Sequence, residues 1–217
     1  MLTELARAYS AVFAPELFVL VCTLALAAYE LRAGSAATRP TRRESETTRR
    51  ESGSRIASLV ARVGPRLLTV VVGWAVAFAI YQSTDLLFDP VPAWGSDLTG
   101  SLGVGIGMLL IGVAWWARGW GTHVPRFAAV LFAVTVVHAA VTPFWDASSH
   151  VAYTAAPAGY LAVADRRFAP VLAVPVGMVA ARPLAGAHTW LESVGGFALA
   201  AVFVAAVLVR SPAARAE

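Results

Sequence analysis

Seven apolar runs separated by short polar connections limit what this chain can fold into more than any other feature. They fall at roughly Ser10–Leu31, Leu67–Tyr81, Leu98–Ala117, Phe127–Phe144, His150–Ala164, Pro170–Ala181 and His188–Val209. The chain has 217 residues, of which 58% are hydrophobic and 14% charged, and its mean hydropathy is +0.67. A water-soluble core of that size cannot hide so much apolar surface. The runs do not alternate apolar and polar positions, so they read as helices and not as barrel strands. The expected fold is all-α, a polytopic membrane helix bundle with six to seven transmembrane helices. The second, fifth and sixth runs are short, and their ends are expected to draw in flanking residues. Pro157 and Pro175 fall inside the fifth and sixth runs, where a proline bends a packed helix.

The first run continues to Tyr29 and has no basic stretch before a short apolar core, so it reads as a retained helix. Three parts follow: a first transmembrane helix over 1–31, a basic cytoplasmic linker over 32–57 expected to be disordered, and a membrane catalytic bundle over 58–217. Within the linker, TRRESET is followed by TRRESGS, a polar near-repeat with no hydrophobic face. Its arginines are suited to anionic headgroups.

All 17 basic residues are arginine. Without lysine there is no Schiff-base chemistry, which excludes a retinal-type seven-helix protein. Cys22 is the only cysteine and sits in an apolar run, so it is expected to pack, with no disulfide and no zinc cluster. The segment Arg32 to Arg66 holds nine arginines. Arg118 and Arg126, Arg166 and Arg167, and Arg210 and Arg215 mark every second connection thereafter. The positive-inside rule then places the N-terminus outside and the C-terminus in the cytoplasm, in the plasma membrane. Arg182 is the exception on the outer side.

This topology brings His150 and His188 to the same outer face, although they open different runs. Imidazole is the side chain best suited to proton and phosphoryl transfer near neutral pH. Ser148, Ser149 and His150 occupy a helix N-terminus, where free N–H groups favour an anion; helix capping by Asp146, Ser148 and Ser149 is the plainer alternative. His188 and Glu192 are four apart and share a helix face, so the carboxylate can orient the ring; an ordinary polar pair at a membrane rim is the alternative. Arg182 can clamp phosphate oxygens or simply reach toward headgroups. His138 is a further candidate within the fourth run, set against a hydrogen-bonded core histidine. Asp85, Asp89, Asp97 and Asp146 lie on the outer side, where they could bind a polar headgroup or an ion; solvated loop acids are the plainer reading. Gly103, Gly105 and Gly107 read as a helix-packing stripe. Trp115, Trp116, Trp120 and Trp145 read as interfacial belts.

The run Ala147-Ser-Ser-His150, with Arg182-Pro-Leu-Ala-Gly186-Ala-His188-Thr-Trp-Leu-Glu192 and Gly195-Gly196, resembles the second and third signature motifs of the phosphatidic acid phosphatase type 2 superfamily. The resemblance covers roughly Trp145 to Ala201. Alanine stands at 147 and 181 where the family has proline and serine, Glu192 replaces an aspartate, and the first signature motif is absent. That last departure is closer to the inositolphosphotransferase branch, similar to inositol phosphorylceramide synthases. The resemblance implies that His188 is the nucleophile forming a phosphohistidine and that His150 protonates the leaving alcohol. It further implies that Glu192 orients His188, that Arg182 and Ser148 (with Ser149 beside it) bind phosphate oxygens, and that no metal or other cofactor is required. The expected partners are a membrane lipid phosphate and the bilayer, with no nucleic acid. A membrane transporter and an inactive scaffold that keeps the fold are the competing readings.

Overall fold

The structure, a computed structural model, describes residues 1–37 and 52–210. Among the described residues it is all-α. The elements are α1 (Leu2–Val12), α2 (Pro15–Ala37), α3 (Ser52–Gln82), the single turn α4 (Thr84–Leu87), α5 (Gly95–Ala117), α6 (His123–Val141), α7 (Ser149–Ala164), a 3-10 stretch (Arg166–Leu172) leading into α8 (Ala173–Leu184), and α9 (Trp190–Arg210). Five stretches are long and apolar enough to cross a membrane: Ala57–Gln82, Gly95–Ala117, His123–Val141, Arg166–Leu184 and Trp190–Val207. A sixth is added if the bent pair Leu2–Val12 and Pro15–Ala33 counts as one span. The protein is therefore a polytopic membrane helix bundle.

The run missing from that set is α7, which has 16 residues. At about 1.5 Å per residue it is about 24 Å long, short of a hydrocarbon core about 30 Å thick. It lies in the middle of the bundle, packed on α2, α6, α8 and α9. Val151, Ala152, Tyr153, Ala156, Ala158 and Leu161 are all buried. A helix that is apolar on every face is stable only when neighbours cover every face.

The first run is not one helix. It breaks at Phe13 and Ala14, and α1 and α2 meet at 44°. Pro15 supplies the reason: it lacks an N–H, so it belongs in the first turn of a new helix. Helix α1 folds back on α8, where the Tyr9 hydroxyl donates to the Val174 carbonyl at 2.9 Å. Pro175 likewise sits in the first turn of α8 rather than inside it. Helix α2 runs to Ala37 and α3 begins at Ser52, so the linker expected over 32–57 is helical at both margins. Its remainder, 38–51, lies outside the described residues, as do Arg215 and the rest of 211–217.

Glycines set the closest helix contacts. A Cβ on Gly103 would lie 2.5 Å from the Ala77 carbonyl, and one on Gly107 would lie 2.6 Å from that of Gly73. Gly105 faces Thr135 on α6 just as tightly. The stripe thus lets α5 pack directly against α3 and α6, as small residues do between membrane helices. Cys22 is buried in the same core.

The two ends of the bundle differ. At one end, buried Glu30 accepts hydrogen bonds from Trp115 Nε1 at 2.8 Å and from the His123 backbone N–H. The Tyr160 hydroxyl donates to the His123 carbonyl at 3.1 Å. The Arg66 and Arg118 guanidiniums lie 4.9 and 5.2 Å from the Trp120 ring centroid. Trp115 is fully buried in this cluster and so does not belong to an interfacial belt as expected; Trp116, exposed, fits that role. The opposite end gathers the starts of α2, α5, α7 and α9 and the end of α8.

Gly107→Leu forces a side chain into the α3 backbone and is expected to destabilise the protein by about 1–3 kcal/mol. Gly64→Ala, with no atom within 4 Å of the new methyl group, is expected to be neutral or stabilising by up to about 1 kcal/mol. Reversible denaturation in mixed detergent micelles reads both.

Candidate functional site

Two local devices bring the end of α8 to the start of α9. Gly186 adopts φ +74°, the left-handed conformation that glycine takes without strain. Its N–H donates to the Pro183 carbonyl at 3.0 Å, and the Ala187 N–H to the Arg182 carbonyl at 3.1 Å. This pair of bonds is a Schellman motif, and it places Arg182 in the last turn of α8. Three residues later a capping box opens α9. The Thr189 hydroxyl accepts the Glu192 N–H at 3.2 Å, and Glu192 Oε2 accepts the Thr189 N–H at 2.7 Å.

His188 lies in the turn between these devices, before α9 begins. The expectation that His188 and Glu192 share a helix face is therefore corrected. They meet because the capping box folds the Glu192 carboxylate back over the helix start, leaving Oε2 3.5 Å from His188 Nδ1. Asp146 Oδ2 approaches the same nitrogen at 3.8 Å. The His188 side chain is 2% exposed, so the ring is held inside the protein with two carboxylates beside it.

The connection before α7 closes onto α9. The Ser148 N–H donates to the Glu192 carbonyl at 3.1 Å. A Cβ on Gly196 would lie 2.5 Å from the Ser148 carbonyl, and Gly195 lies against the Trp145 indole. The Gly195-Gly196 pair is what permits this approach. Ser148 precedes α7 at the capping position, yet its side chain makes no capping bond. Its hydroxyl is buried without a partner. The neighbouring Ser149 hydroxyl is engaged, donating to Asp97 Oδ1 at 2.6 Å.

His138 sits beneath this layer and is fully buried. Its Nε2 bonds the Ala147 carbonyl at 2.8 Å, while Nδ1 meets the hydroxyls of Ser101 at 3.1 Å and Thr142 at 3.2 Å. With both ring nitrogens occupied it serves as a structural post holding residue 147. His123 lies at the other end of the bundle.

A cavity of 260 Å³ opens at this end, with Asp97, Ser149, His150 and Arg182 in its wall. A second, of 340 Å³, reaches from His150 and Arg182 toward Arg7 and Ala187. His150 and Arg182 thus form a wall common to both. Seven buried side-chain polar atoms among the described residues lack a hydrogen-bond partner: Asp146 Oδ1, Ser148 Oγ, His150 Nδ1, Arg182 Nε, His188 Nδ1 and Ser193 Oγ at this end, and Arg66 Nε at the other. Native proteins pair nearly all such atoms, so a concentration of orphans marks a place where water, an ion or a ligand belongs.

Asp97 differs from the solvated loop acid that is the plainer expectation for it. Asp85 and Asp89 are exposed, as loop acids are, but Asp97 stands in the first turn of α5 and is half-buried. Its spacing carried a signal: Ser101, one helical turn on, lines the same cavity. Asp97, Asp146 and Glu192 together make this end acidic, with Arg182 opposing them. Burial pushes the Asp146 carboxyl above the usual carboxylate range, and repulsion from Asp97 and Glu192 adds to the shift, while His188 works against it.

The chain matches no family model, no curated protein and no solved structure.

An acid whose ionisation is disfavoured in the folded state costs stability once it is charged. The cost is absent at pH values where the carboxyl is protonated in both states, grows as pH rises above the unfolded value, and is complete above the raised folded value. Asp146→Asn is therefore expected to raise the unfolding temperature in detergent at pH 7 and to make no difference near pH 3. An equal or lower melting temperature at pH 7 contradicts the assigned strain.

Proposed function

We propose that this protein is an integral membrane phosphoesterase or phosphotransferase that acts on a lipid phosphate through a phosphohistidine. The observation that carries the reading is the shared wall of His150 and Arg182 in two cavities, at the end of the bundle where His188 and Ser148 also hold buried, unpartnered polar atoms. The similarity of these residues to two motifs of the phosphatidic acid phosphatase type 2 superfamily supports the same conclusion. Arg182 offers two parallel N–H donors to phosphate oxygens, and the Ser148 hydroxyl, free of any capping bond, offers a third.

The chemistry proceeds in two steps. A ring-nitrogen lone pair of His188 attacks phosphorus. The bond from phosphorus to the lipid alcohol breaks, and the departing oxygen takes a proton from His150. The negative charge of the bound phosphate favours the protonated His150 that this step needs. Water or an acceptor alcohol then attacks phosphorus, the P–N bond breaks with its electrons returning to His188, and His150 recovers the proton. The charge of the Glu192 and Asp146 carboxylates, 3.5 and 3.8 Å from Nδ1, favours a proton on that nitrogen, which leaves the far nitrogen free to attack.

The active end faces away from the cytoplasm, with the N-terminus outside and the C-terminus inside. The support is charge: Arg62, Arg66, Arg118, Arg126, Arg166 and Arg167 border the opposite end, and cytoplasmic loops carry the arginine excess. A transport path is less well supported, because at the opposite end Glu30, Trp115 and the His123 backbone are tied together by hydrogen bonds.

His188→Ala is expected to lower turnover of a phosphatidate or phosphoinositide in detergent micelles by at least ~10³-fold and to abolish an acid-labile phosphoenzyme with labelled substrate. Full activity in that variant rules out the nucleophile. His150→Ala is expected to slow release of an alkyl alcohol much more than release of p-nitrophenol, which departs without a proton. Equal losses remove His150 as the acid.

A further inference from the structure

We infer that Asp97, Asp146 and His188 form a binding site for one divalent metal cation, and that occupancy of this site switches the proposed reaction off. The cation site follows from geometry alone. One ligand atom from each of the three side chains lies within 4.8 Å of both others, and no other such cluster occurs among the described residues. Three ligands spread evenly around one ion, each about 2.1 Å from it, stand about 3.6 Å apart, so closure asks each pair to approach by about 1.2 Å or less. His188 Nδ1 is already 3.8 Å from Asp146 Oδ2.

The second observation is independent of the acidic cluster. The His188 side chain is almost wholly buried, and Nδ1 has no hydrogen-bond partner; Asp146 Oδ1 lacks one too. A buried imidazole with carboxylate oxygens of Asp97 and Asp146 in reach is a ligand set of two oxygens and one nitrogen. That set accepts Mn²⁺, Fe²⁺ or Zn²⁺. A cation also relieves the crowding of Asp97, Asp146 and Glu192 around a single arginine. Asp97 is held in place for this role by the Ser149 hydroxyl at 2.6 Å.

The effect on chemistry rests on the function proposed above. Neutral imidazole carries one proton and one free lone pair. With the proton on Nδ1, beside Asp146 and Glu192, the far nitrogen is the nucleophile. A metal at Nδ1 drives the proton to the far nitrogen, which then has no lone pair to attack phosphorus. The ion therefore locks the unreactive tautomer.

The test uses the full chain in detergent micelles, freed of metal by chelation, with Mn²⁺ as the probe. Electron paramagnetic resonance titration is expected to show one bound Mn²⁺ per chain. Asp97→Asn and His188→Ala should each weaken it at least tenfold, and Asp85→Asn should not. Mn²⁺ should raise the melting temperature of the natural protein but not of Asp146→Asn, which reports the site even if a variant is impaired in folding. Absence of one-site binding, or binding indifferent to Asp97→Asn and His188→Ala, overturns the cation site. Lipid phosphate turnover should fall with the same midpoint as Mn²⁺ binding; unchanged or increased turnover overturns the tautomer lock. A protein that binds Mn²⁺ as described but turns over no lipid phosphate in chelator refutes the function proposed above and leaves the cation site standing.

Discussion

The closure of α9 onto the connection before α7 is the contact on which the rest depends. One backbone bond, from the Ser148 N–H to the Glu192 carbonyl, joins two segments 44 residues apart in sequence. It forms only because Gly196 offers no Cβ to the Ser148 carbonyl and Gly195 gives room to the Trp145 indole. Without that approach, His188 and Asp146 would not share a buried space. His138 reinforces the contact from below by fixing the Ala147 carbonyl. Three consecutive residues, 147 to 149, are thus held by three different elements: α6, α9 and α5.

Holding that connection so firmly has an electrostatic consequence. The groups gathered around it are not mutually satisfied, since an acid-rich set faces one guanidinium and several polar atoms lack partners. Elsewhere in the bundle, polar groups are paired: Glu30 with Trp115 and the His123 backbone, Thr135 with Tyr153 at 2.7 Å. Unpaired buried polar groups cost more in a water-poor interior than at a surface. Among the described residues, most buried polar atoms without a partner gather at this end, with Arg66 Nε the exception at the other. The fold supplies rigidity through close glycine contacts, and the site spends part of it.

Much of the architecture was legible in the chain because its signals are local. Apolar runs marked every long helix, and the two glycine-dependent features, the stripe at 103–107 and the turn at Gly186, follow from the absence of a side chain. The break before Pro15 and the capping box Thr189-Trp-Leu-Glu192 were equally local, yet the long apolar run masked the first and the i,i+4 spacing disguised the second. Helix extends over 32–37 and 52–57, where the linker was expected, because alanine-containing stretches continue a helix once neighbouring turns are in place. Trp115 shows the same limit: an indole near a helix end suits an interface, but a buried glutamate from another helix captured it.

Composition and periodicity alone determined that the chain is an α-helical membrane bundle and that His150 and His188 belong at the same end. Both facts depend on hydropathy and on counting crossings, which a linear pattern records. Tertiary structure decided which acids attend His188. Asp146 approaches from a connection 42 residues away and Asp97 from the first turn of α5, 91 residues away, and Glu192 turns back through a cap instead of along a helix face. It also decided that His138 is a post and Ser148 an open donor. The physical reason is that a side chain's partners are set by which backbones pack closely enough to present them, and that depends on the whole bundle closing around α7.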